Sequence, residues 1–210
     1  VFIGGFAVVV APLFGVVVPA LAHGLILVGL IYTYGHISGT QINPAVTLGL
    51  LVGGKIDVMK AGVFIVAQFI GGIVAAVVIV ATMPDGAQIA LLGSAELFNY
   101  GQTTGALTAD YVWTAAIIEA ILTFFLVSAV YQTAAFGKGG NMAGVAIGFT
   151  LAGSILAGGA LPGPSLNPAR SLGPALMAGE LDYVLPYFVG LFGGGALAGV
   201  FHTFVLNTEN

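Results

Sequence analysis

The tripeptide Asn43-Pro44-Ala45 occurs a second time, 124 residues further on, as Asn167-Pro168-Ala169. Asparagine is among the best helix N-caps, because its side-chain oxygen accepts from an unpaired N–H of the first turn. Proline suits the first helical position, where no N–H is needed. Each tripeptide therefore predicts a helix start, at about 43–53 and about 167–178. Aligned peptide dipoles put roughly half a positive charge at such a start. A carboxamide held there can offer a hydrogen bond to a neutral molecule in a place that disfavours cations. Arg170 stands one residue past the second tripeptide, inside an apolar stretch, and an ionisable residue there reads as functional. The three histidines and the absence of cysteine give no metal cluster and no nucleophile–base pairing. No catalytic residue, metal or cofactor is expected.

The elements that position these groups follow from hydropathy. The chain is 59% hydrophobic and only 6% charged, with a mean hydropathy of +1.10. Ordinary soluble domains carry about a quarter charged residues, so this composition predicts an integral, multi-pass membrane protein. A spanning helix needs roughly 20 residues. Apolar segments of about that length, or nearly so, lie at 1–15, 17–37, 58–82, 111–135, 141–159 and 183–206, giving six spans. The chain opens at Val1 already inside the first of them, so that span is expected to be shortened by a missing start. The two Asn-Pro-Ala runs are too short to cross. They read as re-entrant half-helices, which membranes tolerate only where the loops are buried in protein or line a wet cavity. Segment 83–110 is the only long polar connection, an outer loop joining halves at about 1–82 and 111–206 within one channel domain, 1–210. The 33 glycines, including Gly71-Gly72 and Gly193-Gly194-Gly195, fit close helix packing.

The halves repeat. The 124-residue offset also aligns Gly39 with Gly163, Leu48 with Leu172 and Gly49 with Gly173. With three spans per half, an odd number, the second half sits upside down, an inverted repeat whose half-helices meet near the midplane. Lys55, Lys60 and Lys138 fall on one face of this topology. Asp85, Glu96, Asp110, Glu180 and Asp182 fall on the other. The positive-inside rule makes the lysine face cytoplasmic.

The runs His36-Ile37-Ser38-Gly39, Asn43-Pro44-Ala45-Val46-Thr47 and Ser165-Leu166-Asn167-Pro168-Ala169-Arg170-Ser171-Leu172-Gly173-Pro174-Ala175 resemble the aquaporin (major intrinsic protein) family along essentially the whole chain. Ala22-His23-Gly24 and Ile155 through Ala160 look most like its tonoplast intrinsic proteins. The resemblance implies an all-α membrane protein, a right-handed bundle of six transmembrane helices plus two half-helices. It implies a homotetramer in the lipid bilayer, each protomer with its own pore for water and small neutral solutes, and no nucleic-acid partner. The membrane is expected to be the cell membrane, with a vacuolar or other internal membrane as the alternative. By the family's spacing, the narrow outer filter falls on His23, Ile155, Pro164 and Arg170. His with Ile and Arg resembles members that pass ammonia as well as water. Pro164 departs from the usual small residue; it removes a backbone donor and stiffens the loop.

The family usually has a loop-bracing Glu in each half. Here Glu119 fills the second place and Val1 aligns with the first. Glu119 is expected to pair with backbone N–H groups, and His36 to be structural or at the cytoplasmic mouth. Ser171, Ala175 and Tyr187-Phe188 follow the water-type pattern. That makes a glycerol-type facilitator the second reading. A coupled secondary transporter is the third, because inverted repeats with broken helices also build those, but no midplane carboxylate ion site is visible. His202 and the aromatic pair Tyr111 and Trp113 read as interfacial. Lys138-Gly139-Gly140 reads as a turn; it lacks the spacing of a phosphate loop.

Overall fold

The structure, a computed structural model, describes residues 1–94 and 98–206, and Glu96 lies outside the described residues. Among the described residues all regular structure is helical: α1 (Phe2–Val9), α2 (Ala11–Phe14), α3 (Val17–Ser38), α4 (Pro44–Val52), α5 (Val58–Thr82), α6 (Asp85–Leu92), α7 (Val112–Val130), α8 (Ala143–Gly158), α9 (Pro168–Ala178) and α10 (Val184–Val200). Short π-helical turns, Tyr131–Ala135 and Phe201–Leu206, prolong α7 and α10. Five helices, α3, α5, α7, α8 and α10 with their extensions, are long and apolar enough to cross a membrane.

Two expectations are corrected. The run 1–15 is not one helix: it breaks at Val10 into α1 and α2, neither of which is long enough to span. Pro12 is the physical reason, since its ring lacks an N–H and crowds the carbonyl four residues back. The connection 83–110 is not loop throughout, because it contains α6. Pro84 starts that helix, and Gly93, in the left-handed region at φ 80°, ends it. Leu92 joins the buried cluster of Val9, Ile79, Met83 and Phe98, and so ties the connection to the first half.

The helices pair as an inverted repeat requires. The half-helix of each half packs on the last span of the other: α4 on α10, and α9 on α5. Both contacts are backbone-close. A Cβ on Gly72 would lie 2.4 Å from the Ala169 carbonyl oxygen, and one on Gly173 2.4 Å from that of Gly72. Across the pseudo-twofold, a Cβ on Gly195 would lie 2.4 Å from the Ala45 carbonyl oxygen, and one on Gly49 2.7 Å from that of Gly195. Only glycine permits these approaches, which set the half-helices against the outer bundle. The central pair, α3 and α8, meets at Gly24 and Gly148 in the same way.

Lys55 follows α4 and Lys138 follows α7, and both ammonium groups lie over one ring, 4.6 and 6.0 Å from the centre of Phe136. These two cations therefore share one end of the bundle. Glu180, past the opposite-running α9, lies at the other end and accepts a hydrogen bond from Gln102 Nε2 at 3.2 Å.

Candidate functional site

Each half-helix starts as its sequence dictates. Asn43 is extended (φ −146°), and its Oδ1 accepts from Ala45 N at 2.9 Å. Asn167 is extended (φ −152°), and its Oδ1 accepts from Ala169 N at 3.0 Å and Arg170 N at 3.3 Å. With both oxygens committed to their own helices, only the Nδ2 donors face outward. Each reaches across to the other half's loop: Asn43 Nδ2 donates to the Leu166 carbonyl at 2.7 Å, and Asn167 Nδ2 to the Ile42 carbonyl at 3.0 Å. The two helix N-termini are thereby held face to face. One N–H on each amide remains for a third party.

A cavity of about 580 Å³ runs past this junction, lined by Asn43 and Asn167 and by the loop residues Gly39, Thr40, Gln41, Ile42 and Ser165. Apolar side chains of α3, α7 and α8, such as Leu27, Leu126 and Ile147, form the remaining wall. His23 and Arg170 lie on the wall towards the Glu180 end, and Lys55 lines it towards the opposite end. A neutral polar molecule would find hydrogen-bonding groups along one side and a non-binding surface along the other.

His23 and Arg170 meet directly. His23 Nδ1 lies 2.7 Å from the Pro19 carbonyl, which can only accept, so Nδ1 carries the hydrogen. Nε2 is then the acceptor for Arg170 Nε at 3.1 Å. Arg170 Nη1 donates to the Gly101 carbonyl at 2.5 Å. The guanidinium is held from two sides and is 2% exposed. Gly4 allows α1 to approach the imidazole: a Cβ there would lie 2.1 Å from His23 Nε2.

Ile155 and Pro164, the other two residues that the family's spacing puts in the filter, are not among the residues lining this cavity. Ile155 is buried in a cluster with Ala20, Leu126, Ile147 and Leu166. Pro164 is buried with its ring against Gly158, where a Cβ would come within 2.8 Å of it.

Glu119 is fully buried on α7. Its Oε1 accepts from Ser165 N at 2.7 Å and its Oε2 from Leu166 N at 3.0 Å. This bracing holds Leu166 in the left-handed region (φ 54°), with its carbonyl aimed at Asn43. Such a conformation is unfavourable for a non-glycine residue unless its surroundings enforce it. His36 is exposed in the last turn of α3, and the first loop is held by other groups: Gly39 in the left-handed region and Thr40 Oγ1 donating to the Leu30 carbonyl at 3.3 Å.

The expectation for His202 is corrected. It is buried, stacked on Tyr131 with ring centres 5.6 Å apart, and its Nδ1 is paired with Gln132 Nε2 at 2.8 Å. Tyr131 in turn donates to the Gly49 carbonyl at 2.8 Å, capping the far end of α4. Tyr111 and Trp113 are exposed, as interfacial aromatics should be.

The profile of the major intrinsic protein family matches residues 4–202. The chain belongs to the major intrinsic protein (aquaporin) family. It is 39% identical over 193 residues to aquaporin TIP1-1 of Zea mays, covering 90% of this chain and 71% of that relative. It is 38% identical over 191 residues to aquaporin TIP2-3 of Arabidopsis thaliana, covering 90% and 71%. Its fold matches the X-ray structure of the aquaglyceroporin from Plasmodium falciparum, with a TM-score of 0.74, 21% identity, and 98% and 94% of the two chains covered. That likeness concerns the fold alone. The protein is a multi-pass membrane channel of the aquaporin family and not an enzyme.

Proposed function

We propose that this aquaporin passes water along the cavity between Asn43 and Asn167, with Arg170 and His23 as its charge and size filter. The observation that carries the reading is the pair of asparagine amides cross-bonded at two opposed helix starts. A water reaching that junction meets only donors. It must turn its oxygen to them and its hydrogens away, so it cannot also accept from the next water. A proton-conducting chain of like-oriented waters is broken there. The two half-helix ends and the Arg170 guanidinium add positive potential, which disfavours cations.

Glycerol is the weaker substrate. Ser171, which replaces the Asp that glycerol-type members carry after that Arg, is buried and bonded to Thr103 Oγ1 at 3.2 Å. Ammonia is proposed as a second permeant, since the neutral His23 ring and Arg170 make a polar outer wall. The assembly is proposed to be a homotetramer with four separate pores, to be tested by native mass spectrometry of detergent-extracted protein.

Stopped-flow light scattering on proteoliposomes tests the function with parallel water, glycerol and ammonia gradients. Fast water flux with a low activation energy and little glycerol flux is the expected result. Glycerol flux as fast as that of water would overturn the assignment. Absence of ammonia flux would remove only the second permeant.

A further inference from the structure

We propose that Gln68 is the positioning residue of the first pore loop, holding Asn43 as Glu119 holds Leu166 and Asn167 in the second. The proposal rests on the water-channel reading for its functional meaning. Gln68 lies on α5, and its Nε2 makes two hydrogen bonds: 2.5 Å to the Gln41 carbonyl and 2.9 Å to Thr47 Oγ1. Thr47 Oγ1 in turn donates to the Asn43 carbonyl at 3.1 Å. One amide nitrogen thus ties the loop before Asn43 to the helix after it.

The orientation of this amide is decided by its partners. The Gln41 carbonyl can only accept, so the nitrogen must face it. Gln68 Oε1 is left buried without a hydrogen-bond partner among the described residues, as is Gln41 Oε1. A buried acceptor left unsatisfied is costly and calls for a reason. Here the reason is the grip of the donor side on the loop.

The second half has the same logic with the opposite chemistry. Glu119 accepts from two loop N–H groups, and Ser165 Oγ relays to Asn167, donating to its carbonyl at 2.7 Å and accepting from its N at 3.2 Å. Thr47 is the first-half relay and Ser165 the second-half relay. The first loop is therefore braced through carbonyl and hydroxyl by a neutral donor, whereas the second is braced through N–H groups by a carboxylate.

The test uses the full chain in liposomes, with Gln68→Met, which keeps the length of the side chain and removes the donor. Two readouts are taken that do not depend on how much protein is active. One is hydrogen exchange of segment 39–47 against segment 163–171. The other is the ratio of proton to water permeability on the same vesicles. Exchange at 39–47 should accelerate about tenfold while 163–171 stays unchanged, and the permeability ratio should rise several-fold, roughly the coupling of adjacent members of one network. Thr47→Val should reproduce both effects, Thr47→Ser should show neither, and Gln68→Met should add little in the Thr47→Val background. If Gln68→Met cannot be recovered folded, the Thr47 pair carries the test. Equal acceleration in both segments, or exchange unchanged at 39–47, would overturn the proposal. Loss of fast water flux in the unmodified channel would instead overturn the functional reading, while the exchange result still decides the role of Gln68.

Discussion

The two pore loops end in the same tripeptide and reach it by different supports. The second loop hangs from Glu119, a fully buried carboxylate bound to two N–H groups. The first is tied by the Gln68 amide, a neutral donor bound to the Gln41 carbonyl and the Thr47 hydroxyl. An inverted repeat thus keeps the geometry of its centre while its outer supports diverge. What is common to both halves is what the pore needs: an extended Asn, a Pro-started helix and a carbonyl facing the opposite amide. The comparison predicts unequal damage. Glu119→Leu strands the Ser165 and Leu166 N–H groups in an apolar site, at about 1–3 kcal/mol each, for a loss of about 2–6 kcal/mol. Thermal unfolding in detergent should show a larger drop for Glu119→Leu than for Gln68→Leu. Equal drops would mean that the halves are braced alike after all.

The glycine contacts predict the opposite, namely equality. Gly72 and Gly195 occupy matching places, and at each a Cβ would lie only 2.4 Å from a half-helix carbonyl oxygen. The obstacle is backbone on both sides, so neither site can yield by rotating a side chain. Gly72→Val and Gly195→Val should each push a half-helix away and abolish water flux. Overpacking in cores typically costs about 1–3 kcal/mol and sometimes more. Retention of flux by one variant and not the other, assayed on equal amounts of reconstituted protein, would show that one half-helix is free to shift.

At the junction itself the halves differ by one charge. The 124-residue offset that pairs Asn43 with Asn167 pairs Val46 with Arg170, and both line the cavity. Arg170→Val therefore makes the two halves alike. Removing a unit charge about 5 Å from the path, at an effective dielectric of about 20, gives up about 3 kcal/mol of repulsion, or roughly a hundredfold in cation exclusion. Proton or cation conductance should rise on that order while water flux stays within about twofold, because the amide donors remain. Ion exclusion equal to that of the unmodified channel would move the barrier wholly to the helix ends.

The sequence carried the centre of this molecule better than its edges. An Asn cap followed by Pro leaves few choices for the backbone, so α4 and α9 begin where the tripeptides place them. Long apolar runs located five spans for the same reason. Hydropathy alone does not show the break at Val10, because Pro12 lies inside an apolar run and only its missing N–H marks the site. The family's spacing names Ile155 and Pro164 for the filter, but spacing orders residues along a chain without saying which wall they face, and neither lines the cavity directly. The Gly101 carbonyl that holds Arg170 has no sequence signature, because any residue supplies a carbonyl. Gln68 did leave a signal, a lone amide in a 25-residue apolar helix, and its partners become visible only once α5 lies beside the loop.

The smallest difference between the halves lies at the starts of the matching spans α5 and α10. Asp57 caps α5, its Oδ1 accepting from Lys60 N at 2.9 Å. Tyr183, at the same place before α10, makes no side-chain cap bond, and its ring instead packs on Tyr187 with centres 5.1 Å apart. One helix is started by a hydrogen bond and the other by packing. Asp57→Ala should therefore lower stability by about 1 kcal/mol, and Asp57→Asn by only a few tenths, since the amide oxygen still caps. Neither should change water flux, because Asp57 is exposed and is not among the residues lining the cavity. The unfolding midpoint separates the two. A loss as large for Asn as for Ala would mean that the Asp57 charge, and not the cap bond, starts α5.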